Sequence, residues 1–168
     1  MHTTLLRFVR PQESQGRCRE GIQWLAQFAD TWDGCNSFLY THNHWHLALF
    51  QMDVDDTAAA LERLDNHVWA RNRDHCDDQA NAISLLWRLE LRAAVDTEGL
   101  AARWCDIGAK VASTTEFHHA ECFYDLQFFF ALLRAGAAAA ESHSEKKKRL
   151  ATAAGEAASP PPPPPGSS

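Results

Sequence analysis

From Gly16 to about Gly136, apolar residues return every third or fourth position, the spacing that lines them up on one face of an α-helix. Between residues 17 and 32, Cys18, Ile22, Leu25 and Ala29 form such a stripe. Gly34, Cys35 and Asn36 interrupt it. Ser37 then stands as the N-cap of a helix to about Gln51, with Phe38, Trp45, Ala48, Leu49 and Met52 on one side. Asp53 to Asp56 read as a turn, and Asp56 caps a helix over 57–70 that carries Leu61, Leu64 and Val68. Asp77 or Asp78 opens a longer helix to about Ala94, striped by Ala82, Leu85, Leu86 and Leu89. Thr97 is placed to cap Glu98–Ala112, with Glu98 adding negative charge to the first turn. A last helix spans His118–Arg134, with Phe123, Leu126, Phe130 and Leu133 together and Gly136 just past its end, where a C-terminal glycine belongs.

The order of these segments predicts an all-α chain: an α-solenoid of antiparallel, tetratricopeptide-like helix pairs over residues 16–136. Ala48 and Ala60 flank one helix-turn-helix with Leu64 a turn later, which is the small-then-large arrangement close helix pairing needs. Helix onsets near 37, 77 and 118 repeat with a period of about 40, longer than the ~34 residues typical of that repeat. Residues 1–15 read as a poorly ordered N-terminal segment. Residues 137–168 read as a low-complexity tail of Ala, Ser, Glu, Lys and Pro. Ala137–Leu150 is helical by propensity but has almost nothing to bury. Pro160–Pro165 predicts a polyproline II rod, read either as a ligand for a proline-recognition domain or as plain low-complexity tail.

Composition narrows the function classes. Hydrophobic residues make up 45% of the 168, including nine Phe and six Trp, which is enough for a packed core. The net charge of −6 argues against nucleic acid and anionic membrane surfaces as partners. No run reaches the roughly 18 apolar residues of a membrane span, and Met1–Arg10 lacks a signal-peptide apolar block. The five cysteines are far apart and include no C-x-x-C pair, so they read as reduced thiols in a cytoplasmic setting. No metal site, cofactor or P-loop, Rossmann or nucleophile-elbow motif is implied.

The densest polar cluster is THNHWHLALF, where His42 and His46 share a helix face and His44 lies about 200° round. A His pair at that spacing can ligate a metal, but the intervening Asn43, His44 and Trp45 supply no general-base Glu and no third ligand is in sequence. Asn81, Ser84 and Arg88 share a face of a later helix. Asp125 sits inside the apolar FYDLQFFFALL and needs a partner if buried, for which Arg88 is the simplest choice. The candidate groove is therefore His42, His46, Asn81, Arg88 and Asp125, with no residue assigned a catalytic role.

HNHWHLALF, SLLWRLEL with Arg103–Trp104, GRCREGIQWL, DTAAALERLD and FYDLQFFFALL together resemble the tetratricopeptide repeat protein 38 family, also called StaR-like proteins. The resemblance covers about residues 16–136. It implies an α-solenoid of helix pairs without a well-defined biochemical activity, of which this chain resembles an internal piece, since full members are several times longer. It keeps His42, His46, Arg88 and Asp125. It departs where Asn81 replaces an Asp, Tyr124 an Asn and Gln127 a His, which removes titratable members of any His/Asp pocket.

The leading expectation is a protein-interaction module that binds a peptide or protein partner. The alternatives are a small-ligand or metal-assisted enzyme built on the His/Arg/Asp residues, and a truncated member without independent activity. The last helix is apolar all round, with Phe128, Phe129 and Leu132 beside its main stripe, so it predicts a recruited partner or poor behaviour alone.

Overall fold

The computed structural model describes residues 15–92, 96–114 and 121–157, and every regular element among them is a helix. In order these are α1 (Cys18–Ala26), a 3-10 segment (Ala29–Gly34), α2 (Ser37–Asp53), α3 (Thr57–Arg63) continuing into a π-helical turn (Leu64–Val68), α4 (Cys76–Leu91), α5 (Thr97–Ser113) and α6 (Cys122–Ala157). None is long and apolar enough to cross a membrane. Residues 1–14, His118 and Pro160–Pro165 lie outside the described residues.

The caps show why the helices start where they do. Asp56 caps α3 as its sequence position predicts, accepting from Ala59 N at 3.2 Å. Two caps fall one residue earlier than expected. Asn36, not Ser37, accepts from Leu39 N at 3.0 Å, and Asp96, not Thr97, accepts from Gly99 N at 2.7 Å. Extended backbone favours a cap, and both residues have it, with ψ of 162° and 158°. Neither Asp77 nor Asp78 caps α4. His75 holds that position without a side-chain cap bond, and Asp78 is used differently.

Gly136 does not end the last helix, and α6 continues to Ala157. A glycine inside a helix costs about 1 kcal/mol relative to alanine, a cost that Ala137–Ala140 offset with the best helix propensity available. Ala138 also reaches the core at 6% exposure, so this stretch does bury something. Lys146–Arg149 belong to the same helix.

α2 is the central element because it packs against two cores at once. Leu47 and Phe50 join Cys18, Leu25 and Trp32 in an N-terminal cluster, while Ala48 and Met52 join the larger one formed with α3 to α6. Helix approach is close at two glycines. A Cβ on Gly21 would lie 2.6 Å from the Phe50 ring, and one on Gly108 would lie 2.3 Å from Ala135 Cβ. These contacts bring α1 onto α2 and α5 onto α6. Charged bonds tie the outer ends: Arg92, just past α4, donates to Met52 O at 2.7 Å and Asp53 at 2.8 Å, and Arg103 pairs with Asp65.

α6 presents two unlike faces. Phe128, Ala131 and Ala138 are buried against α5 and α4, with Ala135 against Gly108 between them. Roughly opposite, Phe123, Leu126, Phe129, Leu132 and Leu133 are exposed.

Candidate functional site

Two polar clusters flank α2. The first lies between α2 and α4 and holds three of the five predicted groove residues. Asn81 Oδ1 only accepts, so His42 Nδ1, 3.3 Å away, carries the proton. His42 Nε2 faces His46 Nε2 at 3.2 Å. Asn81 Nδ2 donates onward to Thr41 Oγ1 at 3.2 Å, and Thr41 donates to Asp78. Ser37 donates to the second oxygen of Asp78.

From His42 the bonds run through Asn81 and Thr41 to Asp78. That carboxylate is fully buried in the first turn of α4, where the helix dipole favours negative charge. A buried carboxylate must be satisfied by donors, and this chain supplies them. The same arrangement explains why Ser37 and Asp78 are not caps: each uses its side chain on the other helix.

The rim of this cluster is aromatic. His42 stacks on Trp45 at 5.4 Å, Trp45 Nε1 donates to Ser84 at 2.8 Å, and the Arg88 guanidinium lies 5.5 Å above the Trp45 ring. Arg88 also donates to Ser84 O on its own helix at 2.8 Å. No hydrogen bond or ion pair joins Arg88 to Asp125 among the described residues, so the expected contact between them does not form. Arg88 reaches back along α4, while Asp125 stands at the start of α6. The five predicted residues thus divide: His42, His46 and Asn81 form one network, Arg88 sits at its aromatic edge, and Asp125 stands at the start of α6.

Replacing Thr41, the link between Asn81 and Asp78, with valine keeps the volume and removes both bonds. The expected loss is about 1–3 kcal/mol, read from urea unfolding of Thr41→Val. A change below about 0.5 kcal/mol, the range of ordinary surface substitutions, would contradict a structural role for the chain.

The second cluster, on the other side of α2, has no counterpart among the predicted residues. His44 is 4% exposed and stacks on His67 at 3.9 Å. Arg63 donates to His44 Nδ1 at 3.1 Å and to Gln51 Oε1 at 3.2 Å, and the Tyr40 hydroxyl meets His67 Nδ1 at 2.6 Å. Burial, reinforced by His67 and Arg63, pushes the His44 pKa down to about 3. Burial and Arg63 lower that of His67 too. Both rings are therefore neutral in the fold at pH 7, and the unfolded chain takes up their protons first as pH falls below the ordinary histidine value near 6.5. Stability present above pH 6.5 is lost below it, with a slope of up to about 1.4 kcal/mol per pH unit for each ring. Urea midpoints at pH 7, 6 and 5 check this, and His44→Gln flattens the dependence. An unchanged midpoint from pH 7 to 5 would contradict it.

Two further features carry less chemistry. His75, Cys76 and Asp77 bring possible ligand atoms within 4.8 Å of one another. Asp77, however, accepts from Tyr124, and burial pushes the Cys76 thiol up, away from the thiolate that binds metal. A groove of about 340 Å³ between the π turn and α5 is lined by Leu64, Asp65, Trp69, Arg103 and Asp106 among others. Its arginines are already answered, Arg103 by Asp65 and Arg73 by Asp106, and Trp69 Nε1 donates to Asp106 at 2.6 Å. No predicted site residue lines it.

The third feature is the outer face of α6. Leu126 is 70% exposed and Phe129 62%, and Trp87 and Leu91 on α4 are exposed as well. Trp87 lies 4.5 Å from Phe130, which places it beside α6. No family model matches the chain, and no solved structure matches it.

Proposed function

We propose that this protein is an interaction module: a helix-hairpin scaffold of tetratricopeptide type whose docking surface is the outer face of α6, extended by Trp87 and Leu91. One observation carries the reading. Among the described residues, seven large apolar side chains stand exposed on α4 and α6, whereas isolated exposed hydrophobes are the norm on a free surface. The packing of α2 on α4 and of α4 on α6, with α3 and α5 returning between them, supports the hairpin-repeat part of the proposal.

The polar residues support binding over catalysis. The Asn81–Thr41–Asp78 bonds join α2 to α4, which is a structural use of these polar side chains. The proposed kinship with the tetratricopeptide repeat protein 38 family agrees with a scaffold role and adds no reaction. In this reading Pro160–Pro165 is a second attachment point, for a proline-recognition domain.

The test is capture from a lysate on immobilised protein, comparing the wild type with Leu126→Glu/Phe129→Glu/Leu133→Glu and with Gly-Ser in place of Pro160–Pro165. The face variant is expected to lose at least tenfold of the specifically captured material while keeping its helical circular dichroism. Equal capture by wild type and face variant, together with no self-association through this face, would overturn the proposal.

A further inference from the structure

The exposed side of α6 has an order of its own. Cys122, Leu126, Phe129, Leu133, Gly136 and Ala140 are all exposed, and they follow one another at alternating steps of four and three. That is the seam of a left-handed coiled coil, in which apolar positions recur every 3.5 residues and knobs of one helix fill holes of another. The seam is graded, with bulky Leu126, Phe129 and Leu133 at one end and Gly136 and Ala140 at the other.

We propose that the occupant of this face is a second copy of the same chain, with the two α6 helices antiparallel about a two-fold axis near residue 131. This rests on the docking reading above and names the partner. A two-fold interface must be self-complementary, so that residue i meets j and j meets i. In this register Leu126 meets the partner copy's Gly136, Phe129 meets its Leu133, and Cys122 meets its Ala140. All six seam positions thus find a partner within the seam, with Leu126 against a glycine and the Phe129–Leu133 layers on either side of the axis.

Sliding the pairing by a heptad leaves two of the six seam positions without a seam partner, and making it parallel sets large against large at one end and small against small at the other. Charge does not oppose the contact. Only Asp125 and Arg134 are charged between 122 and 140, Arg134 is turned inward to Glu90, and the two copies of Asp125 stand toward opposite ends.

The area is also of the right size. Whole side chains of this kind cover about 150–250 Å². At the observed exposures the seven leave on the order of 700 Å² per molecule, close to the ~800 Å² each partner contributes to a standard interface.

The experiment uses the full chain. Sedimentation equilibrium is expected to give twice the 18.8 kDa chain mass, and Phe129→Glu to give a monomer with unchanged circular dichroism. A short bis-maleimide then reports the register. In the wild type, the two Cys122 thiols lie about 27 Å apart, eighteen residues at ~1.5 Å each, and stay unlinked. In Ala140→Cys, Cys122 joins position 140 of the partner copy, as identified by peptide mapping.

A Cys122–Cys122 link in the wild type, or no 122–140 link in a dimeric variant, would overturn the antiparallel pairing. A wild-type monomer at all concentrations would overturn the second copy as occupant. In that case, lysate capture that still depends on Leu126, Phe129 and Leu133 leaves the docking face standing. Capture indifferent to them removes both.

Discussion

Trp104→Ala is expected to destabilise the protein by about 3–5 kcal/mol, the range for deleting a large buried aromatic. Trp104 is 0% exposed and lies where three helices meet. From α5 its ring stands edge-on to Phe130 of α6 at 5.5 Å, and its Nε1 donates to Glu90 of α4 at 3.1 Å. The alanine variant opens a cavity at this junction and leaves Glu90 with Arg134 as its remaining side-chain partner. Trp104→Phe separates the two effects. It keeps most of the ring and loses the indole N–H, so its expected cost is about 1–2 kcal/mol. Urea unfolding followed by far-UV circular dichroism measures both. A loss below 1 kcal/mol for the alanine variant would show that α5 is not held by this junction.

Gly108→Ala is expected to cost about 2–3 kcal/mol, and the sign is the informative part. Inside an ordinary helix, glycine to alanine stabilises by about 1 kcal/mol. Here the new methyl would lie 2.3 Å from Ala135 Cβ, with the Ala131 carbonyl at 3.4 Å. A Cβ cannot rotate away, so α5 and α6 must separate and lose contact along the whole pair. Ala135→Gly in the same molecule restores the space. The double variant is expected to recover most of the loss, and a coupling of at least 1 kcal/mol in the cycle is the checkable number. Stabilisation by Gly108→Ala alone would contradict the close approach.

Much of the helical order is readable from residue spacing, and the failures have physical causes. α5 carries a one-sided stripe, and the limits of α4 and α5 fall within a few residues of expectation. α2 does not. It is buried nearly all round, including Thr41, His44 and Gln51, so its periodicity marks only the side facing the larger core. His44 looked solitary because the residue it stacks on, His67, belongs to the next helix, and helix-to-helix pairing is not encoded in local spacing. Thr41 and Asp78 share that invisibility. Each is polar on an apolar helix face, and only the fold brings them together. The same holds for Arg88 and Asp125, two plausible partners that their helices keep apart. The first segment shows a local limit: its stripe predicts helix to Trp32, but the α-helix stops at Ala26 and a 3-10 segment follows. Gly136 shows the opposite error, a helix-ending signal overridden by alanine propensity and by burial of Ala138.

The proposed division of labour follows from these placements. Polar residues that look chemical in sequence are bonded to one another beneath the surface, where they hold α2 against α3 and α4. Apolar residues that look like core are outside, on α6. The all-round apolar character of the last helix is thus the strongest functional signal in the chain, because one of its two faces has no described helix against it.

The measurement that separates these roles is the association constant from sedimentation equilibrium, taken for Thr41→Val and for Leu126→Glu/Phe129→Glu/Leu133→Glu beside the wild type. The account predicts that Thr41→Val unfolds at lower urea yet associates within about twofold of wild type. The triple variant keeps its urea midpoint and loses association at least tenfold. Association that falls with Thr41→Val at full folding, and survives the three glutamates, would contradict it.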